Sequence, residues 1–207
     1  MKTGLMRKKV IFRHYMCRQQ KGGRMEIFME HMKRIDRVLK YSGAIVDVYD
    51  DVMESPSGHM AHWDYIAHRK GAAAVLPVMD DGKILMVRQH RNALERETLE
   101  IPAGSRDDVN EPRMQCAARE LEEETGYQAG RLELLITVAT TVAFCNEVIE
   151  IYLATDLKET ERHPDEDEFV ELEQYTIEEL KDMVFSQKIQ DSKTVAAIMA
   201  YYGKIHA

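Results

Sequence analysis

The apolar run at residues 71–79 constrains the fold more than any other stretch of the chain. It has the length of a buried strand, the Asp80-Asp81-Gly82 set after it is a hairpin turn signal, and 83–89 reads as the returning strand. A sheet therefore occupies the middle of the sequence. Before it, short β-rich runs at 44–49 and 62–67 flank the turn set Ser55-Pro56-Ser57-Gly58 and read as an N-terminal meander. After it come a strand at 97–101, a break at Pro102-Ala103-Gly104 and helical spacing over 112–125 that stops at Gly126. Strands at 131–141 and 147–154, an acidic stretch at 165–168, and helices near 176–186 and 191–203 complete the chain. The expected class is α+β, with the main domain at 69–207, an antiparallel β annex at 25–68 and an extension at 1–24.

Charge divides the chain at that extension. The 207 residues carry 28 basic and 36 acidic side chains. Eight of the basic ones and none of the acidic ones fall in residues 1–24, so residues 25–207 hold 20 against 36, a net of −16. An acidic body repels a phosphate backbone, which argues against nucleic acid as a partner. No apolar run approaches the ~18–20 residues of a membrane span. Cys17, Cys116 and Cys145 lack CxxC or His-paired spacing, so neither a structural zinc site nor a disulfide framework is expected, and a cytoplasmic setting is. The basic tail reads as a disordered extension, or as a start placed ahead of Met25, Met29 or Met32. If the substrate is an anion, something cationic must screen it from this body.

The helix at 112–125 shows where a cation could sit. With Leu121 at the centre of the buried stripe, Met114, Ala117, Ala118 and Thr125 fall on the same face. Glu120, Glu123 and Glu124 form a second stripe about 100° away. Their i, i+3 and i, i+4 spacings set like charges against each other, which destabilises an isolated helix. Arg119, four residues before Glu123, can supply part of the compensation. An ordinary solvated acidic face is one reading; three oxygen-rich side chains beside a glycine loop also suit a hard divalent cation such as Mg²⁺. Asn110 is the expected helix cap, with Pro112 in the first turn.

The wider spacing favours the second reading. Glu111, seven residues, then Arg119-Glu120-Leu121-Glu122-Glu123-Glu124-Thr125-Gly126-Tyr127 resembles the Nudix box, G-x5-E-x7-R-E-U-x-E-E-x-G-U, and meets every specified position from Glu111 onward. Six residues rather than five separate Gly104 from Glu111, a longer loop entering the same helix. Val87-Arg88-Gln89-His90-Arg91, followed by Leu99-Glu100-Ile101-Pro102-Ala103-Gly104, resembles the ADP-ribose pyrophosphatases of that family. The resemblance implies the Nudix fold, a mixed β-sheet sandwiched between helices, and hydrolysis of ADP-ribose to AMP and ribose 5-phosphate. It implies Mg²⁺, or Mn²⁺, held by Glu120, Glu123, Glu124 and the carbonyl of Ala103, with Glu111 and Arg119 holding loop and helix together.

By the same likeness Arg91 and Arg88 contact substrate phosphates, Glu100 lies near the terminal ribose or a metal-bound water, and Trp63 stacks on adenine. For Arg88 a plain surface-strand role stays open, and for Trp63 a packing role. The acidic loop before the last strand resembles the one that carries the catalytic base, with Glu168 the better-matched position and Glu166 the next, and Glu123 of the box is the third catalytic candidate. The annex implies a homodimer. One departure bears on selectivity: Val142 and Ala143 replace a Pro and a Gly in the turn before Glu147. Another nucleoside diphosphate derivative, such as a nucleotide sugar, NADH or a dinucleoside polyphosphate, is the alternative substrate. A non-catalytic ADP-ribose sensor is the alternative of a different class.

Overall fold

The structure, a computed structural model, describes residues 16–21, 24–29, 31–162 and 169–207. The chain forms two compact units, one of residues 1–38 and 50–64 and the other of 39–49 and 65–207. In the larger unit, strand β6 (Ala72–Pro77) is buried along its whole length, as the apolar run requires. It runs parallel to β11 (Val148–Glu159) and antiparallel to β9 (Ala103–Ser105), while β11 pairs antiparallel with β10 (Tyr127–Ala139). The result is a four-stranded mixed sheet in the order β10-β11-β6-β9. The predicted turn is present, since Gly82 N donates to the Met79 carbonyl at 2.9 Å and Met79 N to that of Lys83 at 2.8 Å. Its two arms do not stay paired, however. Beyond a bridge between Val78 and Ile84 they diverge, and β7 (Ile84–Arg91) joins a separate antiparallel sheet, β12-β7-β8, with β8 (Arg96–Glu100) and β12 (Val170–Tyr175).

Alternation along β6 divides the core in two. Ala73 and Val75 pack with Cys116, Ala117 and Leu121 of helix α1 (Arg113–Thr125). Ala72, Ala74 and Leu76 join the larger cluster, which includes Leu180 of α2 (Ile177–Phe185) and Ala197 and Ile198 of α3 (Ser192–Ile205). The mixed sheet is thus sandwiched between helices, as the family resemblance implied. Met114, placed on the buried stripe by helical spacing, is 44% exposed, and Cys116 takes that place in the core. Gly126 ends α1 in the left-handed region (φ 73°), its N–H returning to the Glu122 carbonyl, a conformation that glycine adopts without Cβ strain.

The N-terminal strands are β1 (Met16–Lys21) and β2 (Arg24–Met29), paired antiparallel, and a three-stranded sheet of β3 (Lys33–Ser42), β4 (Val46–Glu54) and β5 (Met60–His68). The remaining residues of the basic extension lie outside the described residues. Among the described residues no helix is long and apolar enough to cross a membrane, and Cys116 and Cys145 are free thiols.

Candidate active site

Three segments meet at the candidate site: the end of β7, the β8–β9 connection and the outer stripe of α1. Register sets the first contact, because β9 runs beside β6 with Ala103 opposite Ala74 and Gly104 opposite Ala73. Of the Pro102-Ala103-Gly104 segment, read as a break, Pro102 lies in the interruption between β8 and β9, while Ala103 and Gly104 begin the short strand β9. It passes directly over α1. Glu124, 2% exposed, accepts a hydrogen bond from Ala103 N at 3.1 Å. A Cβ on Gly104 would stand 2.2 Å from the Glu120 carboxyl carbon, so only glycine lets the strand approach that side chain.

Burying Glu120 (6% exposed) and Glu124 between α1 and β9 is costly without compensation. Arg119 supplies part of it. Its Nη1 donates to Glu120 Oε1 at 2.8 Å and Glu123 Oε2 at 2.7 Å, its Nε to Glu111 Oε1 at 3.2 Å, and its Nη2 to the Ser105 carbonyl at 3.0 Å. Burial works against the guanidinium charge, but hydrogen bonds and charge from Glu111, Glu120 and Glu123 hold its pKa above the usual value. The same bonds lower the Glu111 pKa against the burial that would raise it. Glu111 also accepts from Asp107 N at 2.8 Å, which ties the longer loop to the helix. Asn110 does not cap α1: it donates to Asp108 Oδ1, and Pro112 occupies the cap position without a side-chain bond.

Arg91 ends β7 in a cavity of about 370 Å³ whose lining includes His68, Arg91, Ala103, Ser105, Glu147 and Lys193. Its Nε and Nη2 fork onto Glu100 at 2.8 and 2.6 Å, which leaves Nη1 for a ligand. Glu100 accepts further from Thr98 Oγ1 at 2.6 Å and Lys193 Nζ at 2.5 Å. Burial alone would raise its pKa, yet Arg91, Lys193 and Thr98 hold it down to about 2. A carboxylate so engaged acts as the anchor of Arg91. Lys193 also donates to Asp191 at 2.9 Å, and Asp191 caps α3 by accepting from Thr194 N. Thr194 Oγ1 in turn accepts from Ile101 N at 3.0 Å. Sequence reasoning missed Lys193, Asp191 and Thr194; a lone lysine at a helix start carries no signal, whereas the Asp-x-x-Thr cap was readable.

The other sequence-derived candidates are placed differently. Arg88 pairs with Glu173 on β12 and is absent from the lining of this cavity. Trp63, half exposed on β5, belongs to the other compact unit. Glu166 and Glu168 lie outside the described residues. The three box carboxylates stand behind β9, and among the described residues they do not converge as a ligand group, since Arg119 engages two of them. Their chemistry nevertheless fits a hard divalent cation: all three offer carboxylate oxygens, two are buried, and the Gly104 close approach sets them against the strand that floors the cavity.

The Nudix domain model matches residues 68–197. The chain belongs to the Nudix family. It is 42% identical to the ADP-ribose pyrophosphatase of Bacillus subtilis (strain 168), over 80% of this chain and 90% of that protein. It is 39% identical to the methanol dehydrogenase activator of Bacillus methanolicus, over 84% and 92%. It is 34% identical to the ADP-ribose pyrophosphatase of Mycobacterium tuberculosis (strain ATCC 25618 / H37Rv), over 78% and 79%. A solved structure described as an ADP compounds hydrolase superposes with a TM-score of 0.77 at 19% identity, covering 84% of this chain and 94% of that one, which shows the shared Nudix fold.

Proposed function

We propose that the protein hydrolyses ADP-ribose to AMP and ribose 5-phosphate with Mg²⁺, or Mn²⁺, as the divalent cofactor. The observation that carries this reading is the pairing of a Nudix helix, its acidic stripe pressed against Gly104, with Arg91 held on Glu100 in the adjoining cavity. The two ADP-ribose pyrophosphatases above support the substrate.

Glu120, Glu123, Glu124 and the Ala103 carbonyl would hold the cation, which neutralises diphosphate charge and lowers the cost of charge build-up on the leaving phosphate. Arg91 Nη1 binds a diphosphate oxygen, and Glu100, fully ionised at neutral pH, fixes the plane of that guanidinium. Lys193 adds a second positive charge at the cavity wall. Water adds to one phosphorus, the bridging P–O bond breaks, and the two monophosphates separate. Glu168, or Glu166, takes the proton from the water. Trp63 stacks on adenine, Arg88 supports the phosphate side, and two copies assemble through the annex.

The Thr141–Cys145 turn favours a second substrate reading. Its Val142 is 85% exposed where relatives of this type carry Pro, and Thr140 and Glu147 on either side line the cavity. A nucleotide sugar is the alternative substrate. Purified protein with Mg²⁺ should release AMP from ADP-ribose faster than it cleaves GDP-mannose, NADH or a dinucleoside polyphosphate. Rapid cleavage of one of these with ADP-ribose untouched overturns the substrate assignment, while no cleavage of any overturns the hydrolase reading.

A further inference from the structure

The turn between β5 and β6 carries Arg69, Lys70 and Gly71, and two guanidinium groups converge on it. A Cβ on Gly71 would lie 3.6 Å from Arg106 Nη2 and 3.7 Å from Arg113 Nη2, so both groups reach one point, Arg106 from the loop after β9 and Arg113 from the first residue of α1. They line a second cavity of about 200 Å³, together with Lys70, His68, Asn146 and one acid, Glu147. Like charges this close repel and need compensation.

The groups that hold them are neutral. Arg106 donates through Nε to the Lys70 carbonyl at 2.5 Å, and through Nη1 to the carbonyls of Val109 at 2.7 Å and Glu111 at 3.2 Å. Arg113 Nη1 donates to the Val148 carbonyl at 2.7 Å. Backbone carbonyls fix the two forks in place without cancelling their charge. The acids nearby are engaged elsewhere. Glu111 serves Arg119, and Asp47 pairs with Arg69. Asn110 donates to Asp108, which feels Lys70 only at longer range. Glu147 accepts from Thr140 and lies 3.6 Å from His68 Nε2, while Glu150 accepts from Tyr152 and stands 3.8 Å from Arg113 Nε. Among the described residues, Arg106 Nη2, Arg113 Nη2 and the Lys70 ammonium meet no carboxylate at hydrogen-bond distance.

We propose that this cavity is a binding site for a phosphate-type oxyanion, distinct from the one that Arg91 serves. Planar forks held by backbone carbonyls, each with an Nη2 that meets no carboxylate at hydrogen-bond distance, match the geometry of a phosphate, and Asn146 and His68 line the same cavity. Such a pocket stands out in a body whose net charge is −16. The proposal does not rest on the reading of the catalytic activity. Free orthophosphate and the phosphomonoester end of a nucleotide share the required chemistry.

Isothermal titration with orthophosphate and with AMP, without divalent metal and at matched ionic strength, tests it. Saturable binding should weaken about tenfold or more in Arg106→Gln, the loss of one charge-assisted fork, and persist in Arg91→Gln. Lys70→Met, an exposed change that leaves the carbonyl contacts intact, should weaken binding about threefold and keeps the test open if Arg106→Gln does not fold. Orthophosphate binding at least as tightly as AMP marks the free ion as ligand; tighter AMP binding with the same response to Arg106→Gln and Lys70→Met marks a nucleotide phosphate. Absence of saturable binding to the intact protein, or binding that survives Lys70→Met unchanged and vanishes in Arg91→Gln, overturns the second site.

Discussion

Gly104 and Glu120 show how one missing side chain can set a site. The Cβ of an alanine at 104 would stand 2.2 Å from the Glu120 carboxyl, so either β9 lifts from α1 or Glu120 leaves its buried place. Gly104→Ala should therefore lower stability by about 1–3 kcal/mol, an overpacking cost, and cut diphosphate hydrolysis at least tenfold. Thermal unfolding and initial rates on the same sample check both, and a variant with unchanged rate would separate Glu120 from the chemistry. Glu100 carries the acid-sensitive part of the same site. Its pKa is about 2 in the folded chain against 4.5 for a free glutamate, so its contribution is complete above pH 4.5 and drains away as the pH falls towards 2. Glu100→Gln leaves Arg91 and Lys193 without their shared anion, and should cost about 3 kcal/mol at pH 7. Urea unfolding from pH 7 to pH 3 should show the variant losing less further stability on acidification than the parent; parallel curves would contradict the low pKa.

At the scale of elements, α3 reaches the site through its first turn. Thr194 accepts from Ile101 N and Lys193 donates to Glu100, so the helix start clamps the strand end that carries Arg91's anchor. Lys193→Met keeps the volume and removes one charge-assisted bond, which should cost about 1–3 kcal/mol and raise KM more than it lowers kcat, with Lys193→Arg restoring part of the loss. Steady-state kinetics beside urea unfolding read the two effects separately, and an unchanged KM would confine Lys193 to structure. None of this contact was legible in the chain, because 93 residues separate Lys193 from Glu100 and no local period joins them. What was legible is local. The acidic stripe and its Arg119 compensation follow from helical spacing, and the helix stop follows from Gly126. Local readings fell short where tertiary pairing overrode local rules: the turn at 80–82 joins strands of two different sheets, and the break after β8 is confined to 101–102 because β6 draws Ala103 and Gly104 into a strand. Arg91 was identified from its resemblance to a family, while only the pairing of β7 with β12 shows that Arg88 turns to Glu173.

At the scale of the whole molecule, two features of the surface remain to be balanced: concentrated negative charge and exposed apolar side chains. On the proposal that Glu120, Glu123 and Glu124 hold the divalent cation, the folded chain binds it and the unfolded chain does not, so Mg²⁺ should raise the unfolding temperature with its concentration. At a hundred times its dissociation constant the gain is about 2.7 kcal/mol, or roughly 5–10 °C for a chain of this size. Sodium chloride at equal ionic strength should not reproduce it, and an equal response to both salts would remove the specific site. The apolar side chains lie on β3 and just after it. Leu39, Tyr41 and Ile45, all in the larger unit, are 52%, 62% and 59% exposed, and β3 is an edge strand of its sheet. An open edge and an apolar row together invite pairing, and a second copy of the chain offers the same row in return. Sedimentation equilibrium should therefore give a dimer mass at micromolar concentration. Leu39→Lys with Tyr41→Lys should shift it to the 23.9 kDa monomer with the larger unit still folded. A parent chain that sediments as a monomer would leave these side chains exposed for another reason, and a double variant that stays dimeric would move the interface away from β3.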